Sequence, residues 1–110
     1  MIAYQDFLRL WGGAADCSTL DDFIAEEGGS VPFDDVNRTV RLLTLIYQAQ
    51  AVEGKDLRAI AGLTQEGMSR VYSIPASTVN KWDMGINRPL PWVRPLLAYA
   101  VISDLMEQDA

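Results

Sequence analysis

The chain has 110 residues, 49% of them hydrophobic, and a formal net charge of −6. That is room for one domain with a proper core, and it excludes a disordered chain. Histidine is absent and Cys17 is the only cysteine, which excludes disulfide frameworks, Cys/His zinc sites and every triad that needs an imidazole.

The apolar spacing is helical almost throughout. Tyr4, Phe7, Leu8 and Trp11 share one face of a first helix, which Gly12-Gly13 is expected to end. Ser18 or Thr19 can cap a short second helix carrying Leu20, Phe23 and Ile24, with Asp21 and Asp22 in the first turn, where the dipole favours acids. Gly28-Gly29 closes it, and Ser30 to Phe33 is a loop held by Pro32. Val36, Val40, Leu43 and Tyr47 mark a longer helix over about 35–51, broken at Gly54. Residues 55–61 form a short helix with Leu57 and Ile60 inward, stopped at Gly62. Thr64 caps a helix over 65–72, with Glu66 in its first turn. Pro75 opens the next, and Gly85 ends it. Asn87 to Pro91 is an extended connector to a last helix over 92–106, with Val93, Leu96, Leu97, Ala100 and Val101 on one face. No segment reads as a strand, no apolar run approaches the ~20 residues of a membrane span, and no signal peptide opens the chain. Cys17 reads as a free thiol beside a turn, which suits a reducing cytoplasm.

Charge is unevenly spread. Residues 1–34 hold seven acids against Arg9, and residues 95–110 hold three acids and no base. Residues 55–94 hold six bases against three acids, a local +3. An acidic head and tail therefore bracket a mildly basic middle.

That middle contains a pair of short helices, 65–72 and 75–84, separated by only a couple of residues, the spacing of a helix–turn–helix corner. In the second, Val79 and Trp82 point one way, and Ala76, Ser77, Asn80, Lys81 and Met84 the other. A small, polar outer face with one cation suits entry into a major groove, and it equally suits a solvated surface. Trp11, Trp82 and Trp92 are expected to pack in the core or at helix ends.

The stretch LTQEGMSRVYSIPASTVNKWDMGINRP, Leu63 to Pro89, resembles the Cro and phage-repressor (XRE) type of helix-turn-helix domain. With the helices before and after it, the resemblance covers about residues 53–103. It implies an all-α, lambda-repressor-like bundle. It also implies base contacts from Ala76, Ser77, Asn80 and Lys81, phosphate contacts from Gln65, Arg88 and the backbone near Asn87, and an ion pair between Arg58 and Asp83. The chain departs from the family pattern at Gly67, Ser69, Ser73, Pro75 and Met84. Ser73 stands where a turn glycine is usual, and Pro75 lacks the capping hydroxyl of the usual Ser or Thr.

The resulting expectation is a single domain, an acidic helical extension over 1–51 packed on a helix-turn-helix core over 52–110. Its function is that of a sequence-specific DNA-binding regulator, cytoplasmic and homodimeric, with the acidic head as a dimer or partner surface. No catalytic, metal or cofactor site is expected. The alternative is a protein-interaction module that keeps the fold without binding DNA, which the acidic balance, Pro75 and Met84 favour.

Overall fold

A computed structural model describes residues 1–52 and 54–108, with the side chains of 54–56 outside the description. The start of the resemblance at Glu53 and the charges of Lys55, Asp56 and Asp109 therefore lie outside the described residues. The structure is all-helical, with no strand among the described residues: α1 Tyr4–Asp16, α2 Leu20–Glu27, α3 Val36–Gln50, α4 Gly54–Ala61, α5 Gln65–Tyr72, α6 Ala76–Asp83 and α7 Val93–Gln108, with a 3₁₀ turn at Gly28–Ser30.

Local chemistry sets most of the boundaries. Thr19 caps α2 by accepting from the Asp22 N–H, and Asp35 caps α3 by accepting from Asn37. Gly62 and Gly85 end α4 and α6 in the left-handed region, at φ 70° and 72°. At each, the glycine N–H and the next N–H turn back to the last helical carbonyls (Ala59 and Arg58; Trp82 and Lys81), the pattern of a Schellman motif.

Two expectations fail for tertiary reasons. Gly12 and Gly13 do not end α1, which runs on to Asp16. A Cβ at Gly13 would stand 3.6 Å from the Phe23 ring and 3.3 Å from a Glu27 oxygen, so the glycine is where α2 presses on α1. In α3 the apolar register is displaced. Val36 and Val40 are exposed, and the buried face runs through Thr39, Leu42, Leu43, Leu45, Ile46 and Ala49. Asp35 as cap puts Val36 at the first helical position, outside the reach of the core.

The core is one cluster. It runs from Phe7 and Leu10 of α1 and Phe23 of α2, through the α3 face, to Leu57, Met68 and Val79, and on to Ala98, Val101, Ile102 and Met106 of α7. α7 packs on α1, α3 and α4. Tyr99 of α7 meets Tyr4 and Phe7 edge-on, and its hydroxyl donates to the Ile2 carbonyl. Arg94 donates to the Gln50 and Val52 carbonyls at the end of α3 and lies against the Trp11 ring. A cation at the negative end of a helix is favourable.

Removing residues 1–51 takes away two of the three helices packed on α7. Exposing that much apolar surface costs roughly 5 kcal/mol or more, comparable with the whole stability of a small domain. The expected outcome is loss of the cooperative thermal transition seen by circular dichroism in the full chain.

Candidate nucleic-acid interface

α5 and α6 are eight residues each, too short to persist alone in water, so neighbouring contacts must hold them. Thr64 caps α5 through the Gly67 N–H at 3.0 Å, and a Cβ at Gly67 would crowd that same oxygen at 3.2 Å. Ser73 turns the chain in the left-handed conformation, φ 55°, without a glycine. Ser69 secures the turn from both sides: its carbonyl accepts from the Ile74 N–H, and its hydroxyl donates to the Ile74 carbonyl. The hydroxyl at 69 thereby satisfies a carbonyl that the irregular turn leaves outside a helix ladder.

Pro75 occupies the cap position of α6 and supplies no side-chain acceptor. Its carbonyl accepts from Thr78 and Val79, so the Ala76 and Ser77 N–H groups stand at the open first turn. Val79 is fully buried in the cluster that holds Leu57, Met68 and Leu97, and Trp82 is half-buried against it.

The rear of α6 is fixed by a polar network. Arg58 Nη2 and Nε donate to the Asp83 carboxylate at 2.8 and 3.4 Å, and Nη1 donates to the Leu63 carbonyl at 2.9 Å. Both charged side chains are largely covered. Gln65 Nε2 donates at 2.7 Å to Asp83 Oδ2, the oxygen that also accepts from Arg58 Nη2, and the Gln65 oxygen faces Asn80 Nδ2 at 3.5 Å.

Ala76, Ser77, Asn80 and Lys81 lie exposed together on the outer face of α6. Gln65, implied as a phosphate contact, turns its amide to Asp83 and braces Asn80. Asn87, whose backbone was to hold a phosphate, aims its N–H at the Lys81 carbonyl at 3.4 Å as part of the α6 end. Arg88 is exposed just beyond it.

The local surplus of cations is smaller at the surface than in the count. Arg58 is spent on Asp83 and Arg94 on the α3 carbonyls, while Glu66 is exposed in the first turn of α5. The apolar character of the exit from α6 was not anticipated. Met84, Ile86, Leu90 and Trp92 are each more than half exposed, and Trp92, expected to pack at a helix end, is 65% exposed. The readable signal was a set of large apolar residues in a connector with no helical period to bury them.

Elsewhere, Cys17 is held as a thiol. Partial burial raises its pKa, as do the hydrogen bond to Glu26 and the carboxylates of Glu26, Asp22 and Asp16. Among the described residues no group of His, Cys, Asp and Glu is placed to hold a metal, and no helix is long and apolar enough to cross a membrane. No known family model, curated protein or solved structure matches the chain.

Replacing Ser73 by glycine removes a left-handed strain of about 1–2 kcal/mol and restores some unfolded-state freedom. The expected net gain is about 0.5–1 kcal/mol in denaturant unfolding. Arg58→Ala leaves a covered carboxylate at the negative end of α6 and should cost about 1–3 kcal/mol. Arg58→Lys should recover only part of that loss, because one ammonium cannot reproduce the fork on Asp83 and Leu63.

Proposed function

We propose that the chain is a non-catalytic, DNA-binding regulator of the Cro and phage-repressor (XRE) type, with a lambda-repressor-like core. α6 enters the major groove, and the protein works as a homodimer in the cytoplasm. The observation that carries this reading is the outer face of α6: Ala76, Ser77, Asn80 and Lys81 are exposed on a helix braced from behind by Arg58, Asp83 and Gln65. Pre-positioned amide and ammonium groups on an exposed helix are what base-edge readout requires. Lys81 reads a base edge, Asn80 is steadied by Gln65 for the same purpose, and Arg88 meets a phosphate. The acids of α1 and α2 belong to elements that pack on each other and on α3, not on α6. They are left for a second copy or another partner.

Two cations at this face make the electrostatic part of binding small. The slope of log K against log salt should be about −2 per protomer, at −0.9 per phosphate neutralised. Lys81→Ala should reduce discrimination between the best duplex and others by about 1–3 kcal/mol. Arg88→Ala should weaken binding to all duplexes and remove about one unit of salt slope. Fluorescence anisotropy with selected and random duplexes measures all three. The apolar exit of α6, Met84 to Trp92, favours a second reading, a protein-interaction module. Absence of duplex binding at low salt would establish that reading in place of the first.

A further inference from the structure

Two hollows lie end to end between α5 and α7, together a valley that Tyr72 divides. Tyr72 forms its sill. The tyrosine lines a cavity of about 440 Å³ on one side, with Ile74, Trp82, Trp92 and Leu96, and one of about 450 Å³ on the other, with Leu63, Val71, Leu105, Asp104 and Glu107. Leu96, Ala100, Asp104 and Glu107 recur along one face of α7, so the valley follows that face for about 16 Å, or three turns. Its chemistry changes along the way. Beside the start of α7 it is apolar and open, with Trp92 and Leu96 exposed. Beside the end of α7 it carries two exposed carboxylates on the negative pole of a helix whose last turn has no base. Tyr72 donates to Asp104 Oδ2 at 2.7 Å. Burial, then the Asp104 carboxylate, push its phenol well above the usual range, so this donor persists at any physiological pH.

We infer that this valley docks a basic amphipathic helix from a partner protein. Its apolar side chains sit among Ile74, Trp82, Trp92 and Leu96, and its Lys or Arg side chains lie over Asp104 and Glu107.

Charge complementarity selects this occupant. A cation at the end of α7 relieves the interaction of two carboxylates with the helix's own negative pole. Nucleic acid and anionic lipid are repelled by the same carboxylates. The mode is that of a helix laid in a groove, read by anchors at helical spacing. It does not rest on whether α6 binds DNA: the valley takes in Trp82 and the turn before α6, but none of the outward residues Ala76, Ser77, Asn80 and Lys81.

The test uses the full chain and three synthetic helical peptides of about four turns. One has a leucine stripe and lysines at one end, one has glutamates in place of those lysines, and one has the lysine peptide's composition with the stripe scrambled. Two of the three tryptophans line the valley, so docking should shift tryptophan emission to the blue, and titration calorimetry should give the affinity. The lysine peptide is expected to bind and the other two not. Asp104→Asn with Glu107→Gln should weaken binding about three- to tenfold, and Leu96→Lys by at least about tenfold. Asn keeps an acceptor for Tyr72, so the double variant stays folded, which its melting curve checks. Equal binding of the lysine and glutamate peptides, no binding of the lysine peptide, or an unchanged affinity in the double variant would overturn the inference. So would sedimentation showing a dimer of the chain that Leu96→Lys dissolves, because the occupant would then be a second copy.

Discussion

Arg58 and Asp83 hold α6 in place, and the rest of the candidate interface depends on that. Asp83 is the last residue of an eight-residue helix, where the dipole disfavours an acid. Left alone it would loosen the end of α6. Paired with a guanidinium that is also bound to the Leu63 carbonyl, it joins α4, the α4–α5 connection and α6 in one junction. Gln65 adds the start of α5 to the same carboxylate. Ion pairs of this kind add little net stability against their desolvation, but they fix geometry. Here the fixed quantity is the direction in which Ala76, Ser77, Asn80 and Lys81 point.

The electrostatics follow from where the bases go. Arginines are drawn into the fold: Arg9 bridges to Glu27, Arg38 covers the Phe33 ring, Arg58 holds Asp83, and Arg94 caps α3 while lying against Trp11. The acids are mostly left outside, on α1, α2 and the end of α7. With a net charge of −6, a domain built this way has little long-range attraction for nucleic acid. Affinity for a duplex would have to come from close contacts of α6 and the residues after it.

Features that rest on local chemistry were legible in the sequence. The caps Thr19 and Thr64 and the stops Gly62 and Gly85 need only their own neighbourhood. What the sequence hid was set by contacts between distant elements. Gly13 looked like a helix end and is a site of helix contact, and α3 buries Thr39 where Val40 looked the better candidate. At the candidate site the outward set on α6 followed from helical spacing. The Arg58–Asp83 contact followed only from the family resemblance, since nothing in the spacing of 58 and 83 requires it. Gln65 could not be assigned to Asp83 in advance, because a glutamine at a helix start suits a phosphate equally well.

The two surfaces, α6 and the valley, share parts. Trp82 belongs to α6 and lines the apolar end of the valley, and the Ser73–Pro75 turn that aims α6 forms one of its walls. Ser73 is held in the left-handed region there, and the open first turn of α6 follows immediately. An occupant that packs on Trp82 and Pro75 therefore restricts the same turn whose geometry places Ala76 and Ser77. Where it favours the arrangement that a duplex also requires, the ordering cost is met by whichever ligand binds first, and the second binds more tightly. Where it favours another arrangement, the two ligands oppose each other. Linkage makes the factor the same in both directions. Under the DNA-binding proposal, a groove this close to α6 would be coupled to it through the turn, with a sign set by the conformation of Ser73, Ile74 and Pro75.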